Sequence, residues 1–183
     1  VMDALDLLLK RRSVPRLAAP APSGEALENI IQSGLRAPDH GALTPWQFVI
    51  CEGDGLTRLS TILAEAAKAN GADETAVKNA KNAPFRAPMV VAVIARTRVH
   101  DKVPTIEQHI SAGCATHAMQ MAAVAQGFQG FWRTGAFAYH PAVREALAVE
   151  GDDHIVGFLY LGTPDCAAAN APKRDASQFV SYL

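Results

Sequence analysis

Between Pro88 and Arg96 runs Met89–Ala95, an unbroken apolar stretch rich in β-branched side chains. A strand with one wet face alternates polar and apolar residues; a stretch without alternation has to be buried on both faces. The chain must therefore cover a sheet from both sides. Trp46–Cys51, Gln129–Arg133 and Ile155–Gly162 read as further strands, the last also buried.

The cover is helical. Asp3–Arg12 places Leu5, Leu8 and Leu9 on one face, before Pro15 and Pro20-Ala21-Pro22 break it. Ser23 is placed to cap a helix with Glu25 in its first turn and Leu27, Ile30, Ile31 and Leu35 at helical spacing, stopped by Pro38. Leu56, Leu59, Leu63 and Ala67 mark a helix closed by Asn70-Gly71, and Thr75–Asn82 a more polar one. Pro104 can sit in the first turn of a long helix that runs to Gln126 and stops at Gly127. It is rich in Ala, Gly and Met, which let a neighbouring helix or a flat ligand come close. Pro141–Leu147 is a short helix. Helices and strands do not alternate strictly, which favours α+β over a doubly wound sheet.

At 183 residues the chain can bury roughly 70% of its unfolded surface. No repeat or long linker divides it, so residues 1–183 are expected to form a single domain. Lys plus Arg is 17 and Asp plus Glu 18, a net charge of -1, without the basic footprint of a nucleic-acid binder. Cys51, Cys114 and Cys166 are odd in number and form no C-x-x-C, which argues against a disulfide framework or a zinc module. No apolar run approaches the ~20 residues of a membrane span, and Val1–Arg12 has no secretory pattern. The expectation is a soluble cytoplasmic protein with neither membrane nor metal.

Several chemistries drop out. There is no G-x-S-x-G elbow, no phosphate loop of the G-x-x-x-x-G-K-[ST] kind, and no G-x-G-x-x-G after a strand. His109, Cys114 and His117 do not share one helical stripe and read as ordinary helix residues.

Three segments carry more. Arg11-Arg12-Ser13 closes a helix: the two cations complement the helix C-terminus, and beside a hydroxyl they can also clamp a phosphate. Arg36-Ala37-Pro38-Asp39-His40-Gly41 leads into Pro45-Trp46, a helix-loop-strand corner. Gly127 through Gly135 sets Phe128, Phe131, Trp132, Arg133 and Thr134 among three glycines. Glycines allow close backbone approach and aromatics stack on planar rings, although a tight connection with core aromatics has the same composition.

In this order and spacing the segments resemble the nitroreductase family of FMN-dependent flavoproteins, and within it the small YdjA-type branch. The resemblance covers nearly the whole chain, including the central small-residue helix and the Gly157–Gly162 strand. It implies an α+β homodimer whose central, mostly antiparallel sheet is flanked by helices, with FMN at the subunit interface. Arg11, Arg12 and Ser13 would bind the flavin phosphate, ribityl chain or pyrimidine edge. Arg36 and His40 would reach FMN held mainly by the other subunit, and Trp132, Arg133 and Thr134 would line it. Ala122, Ala123, Val124, Ala125, Gln126 and Gly127 would lie near the nicotinamide route.

The implied activity is an NAD(P)H oxidoreductase: hydride passes to the flavin, then two electrons pass to a nitroaromatic or quinone-type small molecule, in ping-pong order. No side-chain nucleophile is expected. The chain also departs from its relatives. Asp39, His40, Ala42 and Thr44 stand where many have Ser, Ser, Asn and Gln; Pro15 replaces a basic residue, leaving Arg12 or Arg16 to substitute. Lys173-Arg174 reads as a solvated pair, while the resemblance allows a phosphate contact there. Two other readings stay open: a flavin-binding or storage protein with little turnover, motivated by the altered loop and Pro15, and a flavin-free interaction domain that dimerises through its apolar tail, Phe179, Val180, Tyr182 and Leu183.

Overall fold

The computed structural model describes residues 2–183. Met89–Ala95 forms strand β2, buried along its whole length. It pairs antiparallel with β1 (Trp46–Glu52) on one side and β4 (His154–Gly162) on the other. Strand β3 (Gln129–Arg133) then pairs antiparallel with β4, giving the order β1-β2-β4-β3.

The period-two alternation of β2 explains its double burial. Met89, Val91 and Val93 pack with Leu159 and Leu161 against Ile30 of α2 (Gly24–Gly34) and Met119 and Ala123 of α5 (Thr105–Ala125). Val90, Ala92 and Ile94 face the other way, toward Leu59, Leu63 and Ala66 of α3 (Asp54–Ala69) and Val143 of α6 (Pro141–Ala146). α4 (Glu74–Asn82) packs beside α3. Small residues bring α2 and α5 together: a β-carbon on Gly34 would stand 2.8 Å from Cγ of Met119 and 3.1 Å from Phe48.

Element ends differ from the sequence reading in a few places. α1 spans only Ala4–Lys10, with the Asp3 carboxylate accepting from the amides of Leu5 and Asp6. Its Leu5, Leu8 and Leu9 are exposed rather than packed. Ser23 holds the cap position of α2 but its hydroxyl caps nothing. Pro38 is not what stops α2. The helix ends at Gly34, where the amides of Arg36 and Ala37 turn back to the carbonyls of Ser33 and Gly34. Pro104 is the residue before α5, not part of its first turn. Beyond Thr163 the chain carries one short turn, Ala176–Gln178, and its terminal apolar side chains are exposed.

Candidate functional site

The end of α1 builds an electropositive cleft of about 330 Å3, lined by Arg11, Arg12, Ser13, Ala171, Pro172 and Arg174. Arg11 donates to the Ser13 hydroxyl (3.3 Å), and Arg12 donates to the Asn170 carbonyl (3.4 Å). Among the described residues none of these three arginines has a carboxylate partner. Arg174 and its neighbour Lys173 are both exposed, and Arg174 lines the cleft. The C-terminal segment folds back over the first turn of chain after α1, which no local sequence signal announces, and Lys173 does not line the cleft.

The same stretch leads on to a second space. The Val14 amide donates to the Gly130 carbonyl of β3 (3.3 Å), and Arg133 donates to the Pro15 carbonyl (3.3 Å). Arg133 thus lies along the segment that begins at Arg11. Its guanidinium stands 4.1 Å from the centroid of Phe131 and 5.4 Å from that of Tyr160. Burial, then the nearby Arg86, lower its pKa, and Tyr160 opposes them; burial pushes the Tyr160 phenol up. The Arg133 Nε is buried with no hydrogen-bond partner. Arg133 lines a cavity of about 450 Å3 with Phe131, Thr134, Phe137, Phe158 and Tyr160.

Strand alternation separates Trp132 from Arg133. Trp132 borders that cavity but sends its indole to the α5 face, where Nε1 donates to the Val156 carbonyl (3.2 Å). There it also lines a groove of about 700 Å3 with Arg36, Pro38, Gly113, Cys114 and His117. Trp132 is thus a lining residue of both spaces, and Arg36 lines the groove with it. His40 is not in the lining. Its Nδ1 pairs with Glu107 at 2.5 Å, on a loop whose Asp39 carboxylate accepts from the amides of Leu43 (3.1 Å) and Thr44 (2.7 Å).

The stretch Ala122–Gly127 ends α5. Ala123 and Val124 are buried, whereas Ala125 and Gly127 are exposed. Gln126 clasps α5 to α2: its Nε2 donates to the Ala26 carbonyl (3.1 Å), and its Oε1 accepts from Asn29 (3.1 Å). Val124 lines a small cavity of about 160 Å3 with Arg11 and Arg12. Glu107, Tyr160, Phe137 and Arg174 join the site only through tertiary structure.

The description of the nitroreductase family matches residues 8–163. The chain belongs to the nitroreductase family. Over the full length of both chains it is 54% identical to the Escherichia coli (strain K12) protein named "Putative NAD(P)H nitroreductase YdjA". Its fold matches that of a nitroreductase-like family protein from Bacillus cereus with a TM-score of 0.85 at 19% identity, covering 100% of this chain and 97% of that one. A variant of the FMN and NADPH-dependent nitroreductase NfnB, derived from sphigopyxis sp. strain HMH, matches with a TM-score of 0.76 at 17% identity, covering 99% of both. As a nitroreductase-family member the chain is an enzyme with the family's α+β fold. Among the described residues no helix is long and apolar enough to cross a membrane, and no cluster of His, Cys, Asp and Glu is arranged to hold a metal.

Proposed function

We propose that this nitroreductase-family enzyme is an FMN-dependent NAD(P)H oxidoreductase. One observation carries the reading: a single stretch, residues 11–15, joins a cleft of unpaired arginines to a buried guanidinium nitrogen that lacks an acceptor. Three guanidinium groups and a hydroxyl suit a phosphate, and the orphaned Arg133 Nε beside aromatic side chains suits the polar edge of a flat ring. These donors fit FMN.

Arg11, Arg12, Ser13 and Arg174 would hold the phosphate end. Arg133 would donate from Nε, Thr134 would offer its hydroxyl, and the Trp132 indole would wall the ring. Bound there, FMN would supply two-electron chemistry, taking hydride from NAD(P)H and reducing nitroaromatic or quinone-type molecules in ping-pong order. The cations would stabilise negative charge near the ring without having to reorganise. No side chain is assigned a nucleophilic role. The end of α5, Ala122–Gly127, would border the nicotinamide route.

The whole chain would act as one domain in a homodimer. Leu5, Leu8 and Leu9 of α1 and Ile106 and Ile110 of α5 are exposed apolar side chains that a second copy would cover. Arg36 and His40 would then reach FMN held by the partner. Three unpaired cysteines suit a reducing compartment such as the cytoplasm.

An absorption spectrum before and after incubation with FMN and desalting tests this. A retained flavin band, released as FMN on denaturation and bleached by anaerobic NADH or NADPH, is the expected result. A band that neither nucleotide bleaches would make the chain a flavin-storage protein, and no band would remove the cofactor.

A further inference from the structure

His40 sits on a loop held more firmly than a connection of this kind requires. The Asp39 carboxylate caps two of its amides. The Ser111 hydroxyl of α5 donates to the Pro38 carbonyl, and Arg98 donates to the Leu43 carbonyl at 2.7 Å. Ala42 and Thr44 are held at φ of 51° and 48°, a region that side chains with a β-carbon rarely adopt. A loop that keeps strained residues in place is one whose side chains have to be aimed.

Glu107 completes the arrangement. It lies in the first turn of α5, where a carboxylate is favourable for the helix dipole alone. That would explain an acid there, but not its contact. Its Oε2 meets Nδ1 of His40 at 2.5 Å, although both side chains have ample access to water. A carboxylate can only accept, so Nδ1 carries the proton and Nε2 is left with a lone pair in the neutral ring.

We infer that Glu107 is a positioning residue that fixes His40 as the Nδ1–H tautomer, leaving Nε2 to accept a hydrogen bond from a hydroxyl or ring N–H of the flavin. The inference rests on the flavin reading above. Glu107 acts through the imidazole, as a carboxylate behind a ligating histidine does.

The test uses the full chain with FMN and the variants Glu107→Leu, His40→Ala and their combination. Nitrogen-15 NMR of labelled histidine at about pH 8.5, where an ordinary imidazole is neutral, reads which ring nitrogen is protonated. FMN fluorescence titration gives Kd. The wild type is expected to show His40 as Nδ1–H, and Glu107→Leu to shift it to Nε2–H. The same variant should weaken FMN about tenfold, yet change Kd less than about twofold when His40 is already alanine. A wild-type Nε2–H tautomer overturns the inference. So does an unchanged Kd in Glu107→Leu, or a loss of equal size with and without His40. Wild-type protein that retains no FMN overturns the flavin reading itself, and that result is visible before any variant is compared.

Discussion

The Trp132 indole lies against the backbone of Gly157 so closely that a β-carbon there would stand well inside contact distance of its nitrogen and 2.9 Å from the Arg133 carbonyl. The indole is pinned from above by this contact and at its edge by the Val156 carbonyl. Gly157→Ala must therefore push the Trp132 indole out of its place in the groove lining. Overpacking of this kind costs about 1–3 kcal/mol. The expected outcome is a Tm lower by about 3–10 °C together with a red shift of tryptophan emission. A variant with wild-type Tm and emission would contradict the packing.

Arg12 and Arg174 reach one cleft from opposite ends of the chain. If they hold a phosphate, removing either loses a charge-assisted hydrogen bond, about 1.5–3 kcal/mol, or roughly 10- to 100-fold in Kd for FMN. Riboflavin has the same ring and no phosphate. Its Kd should change less than about twofold in Arg12→Ala or Arg174→Ala. Equal losses for both flavins would place these arginines on the ring or in the fold.

That pairing also marks the limit of what the sequence discloses. Strand β2 was legible because its apolar run admits only double burial, and α3 because Leu56, Leu59 and Leu63 repeat at helical spacing. Arg11-Arg12-Ser13 was legible as a local group. Arg174 was legible only through the family resemblance, because it reaches the cleft across the length of the chain and its own neighbourhood has no period. The opposite orientations of Trp132 and Arg133 follow from strand alternation once Gln129–Arg133 is known to be a strand. The hold of Glu107 on His40 depends on how the α5 N-terminus packs on a loop, and neither residue signals it. The end of α2 was misplaced because Pro38 is the visible stop, whereas the tight turn at Gly34 acts earlier.

The oligomer can be tested through one residue. Ile110 is 59% exposed and lies on the groove beside Cys114 and His117. In a lone protomer Ile110→Glu should move stability by less than about 0.5 kcal/mol, as exposed substitutions do. Covered by a second copy, it would bury an unpaired charge at the interface. Light scattering after size exclusion should show the wild type at twice 19.4 kDa and the variant at 19.4 kDa. FMN retention should fall with the dimer, because Arg36 and His40 would no longer meet the partner's cofactor. A wild type that runs as a monomer would contradict the interface.

His154 opens β4 between two other rings, with the His109 centroid at 5.8 Å and the Tyr139 centroid at 5.1 Å. Burial lowers its pKa below the ordinary 6.5, and the neighbouring His109 and Arg144 add to the effect. The folded state thus refuses a proton that the unfolded chain accepts. Stability is full above about pH 6.5. It falls as the pH drops below that value toward the folded-state pKa, where the loss is complete. The adjacent Asp153 acts in a lower window. Burial alone would raise it, but hydrogen bonds from Arg96 and Thr97 hold it below 3.8, so its contribution persists above that pH and is lost only as the pH falls further, through its folded-state value. Thermal unfolding between about pH 8 and pH 5 therefore isolates the histidine. Replacing it by His154→Phe keeps a ring against Tyr139 and removes the titration. The wild-type Tm should decline on the acid side of this range, and the variant should decline less. Parallel curves would assign the acid sensitivity to other groups.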